Sequence, residues 1–165
     1  MNAGTAQGEI GDVIDTVSLL SPSGDQVSRN RDEMGFGYRT ANVPPGHVVL
    51  DATVILRHGD AGKIKAQIKK LMDQRKARQP WDLPNAGSVF KNPLDEAAGK
   101  LIEEAGCKGL TAGGAKVSDK HANFIVNLGK ATAADVLALM EIVQRTVLEV
   151  HGVRLEPEIK IIGED

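Results

Sequence analysis

One short segment of the sequence brings three different polar side chains close together. Ser88, Lys91 and Asn92 supply a hydroxyl, an ammonium and a carboxamide within five consecutive positions, between a glycine and a proline. Glycine allows backbone angles that other residues avoid, while proline fixes its own φ and disfavours helix in the residue before it. The segment Ala86–Pro93 is therefore predicted to be a short rigid turn that holds a small polar ligand.

Two further places put single polar residues in unusual surroundings. Tyr38 and Arg39 end a glycine-rich loop, and Glu158 follows a proline in a stretch that alternates apolar and polar residues. Taken one at a time, these residues and Ser88 have ordinary explanations: a turn residue, a surface cation or a charge on a strand. Residue types and spacing alone therefore indicate an α+β domain with an anion pocket.

Several chemistries are excluded by motifs that the sequence lacks. The four histidines show neither HExxH nor HxH spacing, and Cys107 is the one cysteine, so no metal site is expected. Neither GxGxxG nor the P-loop lysine pattern occurs, which argues against a nucleotide loop of those kinds. Ser88 lacks the GxSxG surroundings of a hydrolase nucleophile.

Composition indicates a soluble protein without nucleic-acid or membrane partners. The net charge is −2 and aromatic residues make up 3% of the chain, so neither a basic surface nor a set of base-stacking rings is expected. No apolar run approaches the roughly 20 residues of a membrane helix. A single cysteine, and no leader sequence at Met1, make a cytoplasmic location the expectation.

The spacing of apolar residues and of helix breakers predicts the elements that position these groups. The first 58 residues are expected to contain two or three strands and no helix, and a domain boundary is placed near residue 60. Helices and strands mix without a regular βαβ repeat, so the predicted fold class is α+β. Strands are predicted over 13–20, 48–56, 123–127 and 154–162, helices over 61–78, 94–105 and 132–152, and an irregular segment over 108–120. The last helix is predicted to begin with a capping box between Thr132 and Asp135, with Asp in place of Glu, and to end at Gly152.

The predicted helix over 61–78 has two distinct faces. One face is apolar and the opposite face is basic. The basic face is either a solvated surface or, at Arg78 in the last turn, a contact for an anionic ligand. The apolar stripe follows the spacing of one helix face and consists of Ile64, Ile68, Leu71 and Met72.

Four motifs that occur in one order carry a resemblance to a known family. In register, they closely resemble the UDP-N-acetylenolpyruvoylglucosamine reductase family, flavoenzymes of peptidoglycan precursor synthesis. The resemblance covers about residues 1–163 and is to the shorter subtype, since no tyrosine-bearing insertion lies between Arg39 and Ser88. The motifs are Gly35-Phe36-Gly37-Tyr38-Arg39, Ala86-Gly87-Ser88-Val89-Phe90-Lys91-Asn92-Pro93, His121-Ala122-Asn123-Phe124-Ile125-Val126-Asn127 and Leu155-Glu156-Pro157-Glu158-Ile159.

The resemblance implies a reaction and the residues that carry it out. FAD that NADPH has reduced gives a hydride to the enolpyruvyl group of UDP-N-acetylglucosamine enolpyruvate, and the product is UDP-N-acetylmuramate. The family's proton donor falls on Ser88, and its other two catalytic positions fall on Arg39 and Glu158. An arginine suits the carboxylate of the enolised intermediate, and a buried Glu158 held protonated would donate a hydrogen bond to the substrate carboxyl.

The resemblance also assigns binding residues. Because serine is a poor acid, we expect Lys91, three positions further on, to favour a developing alkoxide at Ser88. Asn85 stands where the family usually has serine, and Thr5-Ala6-Gln7 stands where an aromatic residue is common. The implied substrate-binding residues are Tyr38, Arg78, Lys91 and Asn92, and the implied cofactor-binding residues are Asn2, Ala3, Gly4, Gly8 and Ile10.

The chain is expected to be a fragment of such a reductase. It lacks the glycine- and serine-rich region that lies over the FAD pyrophosphate in the family, so Met1 is expected to be an internal methionine. Residues 1–60 are then the second part of a PCMH-like FAD-binding domain, and residues 61–165 are the substrate-binding domain. We expect such a fragment to retain little FAD, to be inactive alone and to expose, on residues 1–58, a face through which two copies pair. The alternative is a domain that binds a UDP-sugar without redox chemistry.

Overall fold

The computed structural model describes residues 1–5, 7–93 and 96–163, which form two compact units, Met1–Asp60 and Ala61–Asp165. The chain combines helices with antiparallel sheets of two, three and four strands. The predicted α+β class is therefore confirmed.

The first unit is organised around a three-stranded antiparallel sheet. Strand β3 (Ile14–Leu20) lies between β4 (Gln26–Asn30) and β5 (Val48–Val54). Buried and half-buried residues alternate over the second half of β3, from Val17 to Leu20, because successive side chains point to opposite faces of the sheet. The small core of this unit consists of Ile14, Val17, Leu19 and Met34.

The N-terminal unit contains more regular structure than the sequence predicted. Strands β1 (Gly4–Thr5) and β2 (Gly8–Glu9) pair antiparallel, a 3-10 turn covers Ile10–Asp12, and α1 covers Arg31–Met34. The prediction of no helix in this part was wrong because α1 is a single turn, too short for apolar periodicity to reveal. Its signal is the reciprocal capping pair in which Asn30 and Glu33 each accept the other's backbone N–H.

Helix α2 (Ala61–Arg78) has the predicted bounds, but its apolar stripe is largely exposed. It contains no buried residue, and Ile64, Ile68 and Met72 are 46%, 52% and 44% exposed, while Leu71 is half-buried. The stripe is therefore not covered by the rest of the described chain. Periodicity identifies which face of a helix is apolar, whereas the presence of a surface that covers it depends on the rest of the fold.

The second unit has a four-stranded antiparallel sheet in the order β6 (Asn85–Ser88), β9 (Phe124–Asn127), β8 (Ala115–Val117) and β7 (Thr111–Ala112). Helices α3 (Ala98–Glu104) and α4 (Ala133–His151) contribute to a single core with it. The fully buried side chains of this core include Phe90, Ile102, Val117, Leu139, Val143 and Val147.

Helix α4 follows its sequence signals closely. Thr132 accepts a hydrogen bond from Asp135 N, and Asp135 accepts one from Thr132 N, which is the predicted capping box. The backbone bonds to Thr132 and Gly114 lower the pKa of Asp135 below its ordinary value. The helix ends at Gly152, whose φ of 68° is a left-handed conformation that glycine adopts readily.

Three predictions in the second unit need correction. The segment predicted to be irregular holds the β7–β8 hairpin, because Gly113, at φ 51°, makes its tight turn rather than a loose loop. The C-terminal stretch forms a single bridge, between Phe90 and Pro157, instead of a strand over 154–162. Helix α3 begins at Ala98, and its predicted start at Leu94 lies outside the described residues.

We expect Gly114→Ala to destabilise the second unit, because the β7–β8 hairpin passes very close to the segment before α4. A Cβ at Gly114 would overlap the backbone of Lys130 and Ala131, which side-chain motion cannot relieve. The expected loss of unfolding free energy is about 1–3 kcal/mol, measured by urea denaturation with circular dichroism.

Gly129→Ala is the matched control. Gly129 has a φ of 109°, and no heavy atom lies within 4 Å of the point that a Cβ would occupy, so alanine there meets backbone strain but no overlap. Its expected cost is about 1 kcal/mol. Equal stability of Gly114→Ala and the wild type would contradict the close approach.

Candidate functional site

An open cavity of about 730 Å³ lies in the second unit. It brings together Arg78 from the end of α2, Ser88 from the end of β6 and Asn92 from the segment before α3. These are three of the residues that the sequence assigned to catalysis or substrate binding. Polar groups converging on a cavity of this size suit a small polar ligand.

Ser88 lies in the cavity wall and is the last residue of an irregular strand, β6. It pairs with Phe124 of β9, and the register between β6 and β9 shifts between Asn85 and Ser88. Gly87, at φ 85°, takes up this irregularity. Part of the predicted turn over Ala86–Pro93 is therefore strand. In the described part of the chain, no hydrogen bond uses the Ser88 hydroxyl.

Asn85, the residue where the family usually has serine, organises the approach to Ser88. Its amide nitrogen donates to Pro80 O at 2.9 Å and to Leu83 O at 2.8 Å, and its carbonyl oxygen accepts from Gly87 N at 3.0 Å. Asparagine at position 85 thus supplies two donors and an acceptor, whereas the single hydroxyl of a serine could form only some of these three hydrogen bonds.

Asn123 holds the chain on the other side of Ser88. Its carbonyl oxygen accepts from Phe90 N at 2.9 Å and its amide nitrogen donates to Phe90 O at 2.8 Å, so both peptide groups of a buried residue are satisfied by one side chain. The backbone carbonyl of Asn123 also accepts from Val89 N. Asn123 lies within one of the family motifs, but no role was predicted for it.

Asn92 lies in the cavity wall and also stabilises a helix. Its carbonyl oxygen accepts a hydrogen bond from Ala98 N at 3.0 Å, at the start of α3. The first N–H groups of a helix have no partner within the helix, so this bond replaces the missing one. Asn92 therefore has a structural bond as well as the predicted contact with a ligand.

Glu158 and Lys91 lie on paired segments next to Ser88. Glu158 N donates to Val89 O, and Lys91 N donates to Glu156 O, each at 2.8 Å. The backbone of Glu158 is thus fixed beside the residue that follows Ser88. The Lys91 ammonium forms an ion pair with Glu156, and Lys91 is not among the residues that line the cavity. Its expected effect on Ser88 stays a prediction.

Most of the charges on the cavity wall are compensated locally. Lys100 lies between Glu96 and Glu104, and the hydrogen bond that its ammonium donates to Glu96 is the largest of the effects that raise the pKa of Lys100 above its ordinary value. Glu103 is paired with Lys108. Of the cations that line the cavity, Arg78 and Lys120 form no ion pair with a carboxylate of the described residues.

His121 occupies the same wall in its neutral form. Its Nδ1 accepts from Asn123 N at 3.2 Å, so the ring carries its proton on Nε2. The ring packs edge to face on Phe124, and a Cβ at Gly99 would lie 3.0 Å from its Cε1. Burial, followed by the charge of Lys108, lowers the pKa of His121 below 6.5.

In the first unit, Arg39 lies beside the N-terminal segment. A Cβ at Gly4 would lie 3.1 Å from Arg39 Nη1, so glycine makes room for the guanidinium. The guanidinium carbon lies 5.1 Å from the centre of the Tyr38 ring. Arg39 also has a φ of 55°, a strained conformation for a residue other than glycine, and such strain is concentrated at functional sites.

Of the residues predicted to bind flavin, Gly4 lies beside Arg39, whereas Asn2 stabilises the local backbone. Asn2 is 1% exposed, donates to Glu9 and to Gly37 O, and accepts from Gly11 N. Ala3 O accepts from Ile10 N.

The groups of this segment that remain accessible for contact with a flavin are therefore others than the Asn2 side chain. Gly4 is half-buried, Gly8 is exposed at φ 137°, and Ile10 is 44% exposed, so backbone and an apolar side chain remain accessible. These groups suit close approach of an extended ligand. Among the described residues, no cluster of His, Cys, Asp and Glu is arranged to hold a metal ion, and no helix has the length and apolar character to cross a membrane.

Comparisons with known proteins identify the family. A family model described as "UDP-N-acetylenolpyruvoylglucosamine reductase, C-terminal domain" matches residues 79–162. The UDP-N-acetylenolpyruvoylglucosamine reductases of Pediococcus pentosaceus and Geobacillus kaustophilus are 48% and 47% identical to this chain over 166 residues, which cover 100% of it and 55% of each relative. The crystal structure of the reductase from Thermus caldophilus matches with a TM-score of 0.84 and 39% identity, over 97% of this chain and 57% of that one.

The chain belongs to the UDP-N-acetylenolpyruvoylglucosamine reductase family, as its motifs predicted, because the family model covers half of it. It spans about half the length of the curated relatives that it matches. Within the cavity wall, the sequence analysis missed Lys120, His121 and Asn123. The one signal that pointed to them was their place in or beside a family motif immediately before an apolar strand.

We expect Asn123→Ala to destabilise the second unit by about 3 kcal/mol, because it leaves two buried peptide groups of Phe90 without partners. Chemical denaturation measures this loss. Asn127→Ala is the matched control, since Asn127 accepts from Gly129 N and Ala131 N at a half-buried position, and its expected cost is about 1 kcal/mol. Equal costs for the two variants would show that burial of the Phe90 bonds contributes little.

We expect His121 to weaken the fold in acid. The pKa of His121 is lowered in the folded state, so the unfolded chain takes up the proton first, and stability falls as the pH drops below 6.5 toward the folded pKa. His121→Asn keeps an oxygen near the position of Nδ1 but does not titrate. Unfolding free energies at pH 7 and pH 5 are predicted to differ less for His121→Asn than for the wild type, and an identical pH dependence would contradict the prediction.

Proposed function

We propose that this chain is the substrate-binding portion of a UDP-N-acetylenolpyruvoylglucosamine reductase. Together with the remaining part of such an enzyme, it would reduce UDP-N-acetylglucosamine enolpyruvate to UDP-N-acetylmuramate in peptidoglycan synthesis. The convergence of Arg78, Ser88 and Asn92 on one cavity is the observation that carries the proposal. The names of the relatives and their high coverage of this chain support it.

Ser88 is the proposed proton donor in this reaction. Addition of a hydride to an enolpyruvate leaves negative charge on an enolised carboxylate, and a proton must then be delivered to carbon. A hydroxyl on the wall of the cavity, not used in the structure's own hydrogen bonds, suits that step. General acid catalysis of this kind contributes about 10²–10⁴-fold to the rate.

Arg39 and Glu158 are the proposed partners of the substrate carboxylate. The planar guanidinium of Arg39 offers two parallel donors to a carboxylate, and one preorganised donor aimed at a developing anion is worth on the order of 3–4 kcal/mol. Glu158 is half-buried and its backbone is fixed next to Val89. If it is protonated in the complex, it would donate a hydrogen bond to the same carboxyl group.

The proposal includes FAD as cofactor and NADPH as its reductant. FAD, when bound, supplies the hydride. In this chain Gly4, Gly8 and Ile10 would lie against it through backbone and apolar contacts, while Asn2 keeps the segment in shape and Ala3 fixes it to Ile10. Residues 1–60 would then be the second part of the flavin-binding domain and residues 61–165 the substrate domain.

Two further elements belong to this proposal. A cytoplasmic location agrees with the single cysteine, Cys107, which is buried and whose pKa is raised by burial.

Pairing of two copies through residues 1–58 stays a prediction. The edge strand β5 supports it, because all its residues are exposed, Val48 and Val49 to 57% and 50%.

Calorimetric titration of the chain with UDP-N-acetylglucosamine enolpyruvate tests the binding part. Asn92→Asp keeps the oxygen that caps α3 but loses the amide donors, so it should melt within a few degrees of the wild type and bind at least about tenfold more weakly. Asn92→Ala should lose both stability and binding. Undiminished binding by Asn92→Asp would assign Asn92 to helix capping alone.

The catalytic part is tested by joining the chain to the flavin-binding region of a relative and following NADPH oxidation. Ser88→Ala should lower turnover about 10²-fold or more while substrate affinity stays unchanged. Ser23→Ala, in an exposed turn of the first unit, is the control and should have no effect. Lack of substrate binding together with lack of turnover in the joined protein would overturn the proposed function.

A further inference from the structure

The side chain of Lys120 connects the cavity wall to the end of α2. Its Nζ donates to the carbonyl of Lys76 at 2.6 Å, across 44 positions of sequence. Lys120 also lines the cavity, as do Ala77 and Arg78, the two residues that follow Lys76 and complete the helix. One ammonium thus contacts both the last turn of α2 and the space that a ligand would occupy.

The bond satisfies a backbone carbonyl at the C-terminal end of α2. Carbonyls in the last turn of a helix have no partner within it, and they lie at the negative end of the helix dipole, where a cation is favourable. Other charges in the same wall do not compete for Lys120, because Glu104 is bonded to Lys100 and Glu103 to Lys108. The ammonium is therefore directed at the helix end.

Helix α2 depends on this attachment more than a packed helix would. No residue of α2 is buried, and at its C-terminal end the helix continues directly into the chain that leads to β6. At that end, Gln79 N donates to Arg75 O, Arg75 Nε donates to Gln79 Oε1, and the Arg75 guanidinium lies over the Trp81 ring. A change in the last turn would therefore move Arg78 and alter the surroundings of Trp81.

We propose that Lys120 is a positioning residue: by capping the last turn of α2 at Lys76, it holds the Arg78 side chain in the cavity wall. This inference rests on the proposed function only for the choice of ligand, a UDP-sugar. It concerns how Arg78 is placed and does not require that Lys120 itself touch the ligand.

Hydrogen exchange tests the attachment without any ligand. Lys120→Met keeps the aliphatic stem and removes the donor, so the amide of Gln79 should exchange about tenfold faster, the equivalent of one hydrogen bond to a charged group. Lys120→Arg keeps a cationic donor and should restore slow exchange. Lys130→Met, on an exposed loop, should leave the α2 end unchanged. Wild-type exchange at Gln79 in Lys120→Met would overturn the proposal.

A double-mutant cycle tests the effect on Arg78. UDP-N-acetylglucosamine is titrated into the full chain, with the fluorescence of Trp81, the one tryptophan, as the signal. Lys120→Met should weaken binding about tenfold in the wild type but add nothing in the Arg78→Met background, since the residue that it positions is gone. Unchanged binding by Lys120→Met, or the same loss in both backgrounds, would overturn the proposal. If the wild type does not bind the UDP-sugar, binding by this chain alone fails, while the joined protein remains the test of the proposed function. Exchange at Gln79 then decides the role of Lys120.

Discussion

The two hydrogen bonds between the Asn123 side chain and the Phe90 backbone join the segments from which the cavity wall is built. They connect positions 33 apart in sequence and are buried, where an unpaired peptide group costs about 1–3 kcal/mol. Phe90 is in turn bridged to Pro157, so Glu158 is placed by the same arrangement. This one side chain therefore contributes to the positions of both Ser88 and Glu158.

The second unit uses carboxamides repeatedly where regular backbone pairing fails. Asn85 bonds to three peptide groups before Ser88, Asn92 bonds to the start of α3, and Asn123 bonds to both groups of Phe90. A carboxamide carries a donor and an acceptor, as a peptide group does, and can therefore replace a missing neighbour. Because these residues hold the backbone, the Ser88 hydroxyl remains available for a ligand.

Local signals predicted the elements whose stability is local, and missed those that depend on distant neighbours. The capping box at Thr132 and the terminating Gly152 were read from adjacent residues, and both are present. The stripe of α2 was read correctly as apolar, but its burial requires a covering surface that sequence spacing does not encode. Family motifs led to Ser88 and Asn92, whereas Asn123 acts on a backbone far away in sequence, which neither spacing nor residue type reveals.

The first unit applies the same solution to Arg39 as the second applies to Ser88. The left-handed backbone of Arg39 costs of order 1–3 kcal/mol, which the surrounding structure must offset. Asn2 is fully buried and bonds to Gly37 O, two residues before Arg39, and to Gly11 N. A buried carboxamide thus again fixes a loop, here the one that carries Arg39. The occurrence of asparagine at position 2 is then explained by the shape of this loop, independently of any contact with a flavin.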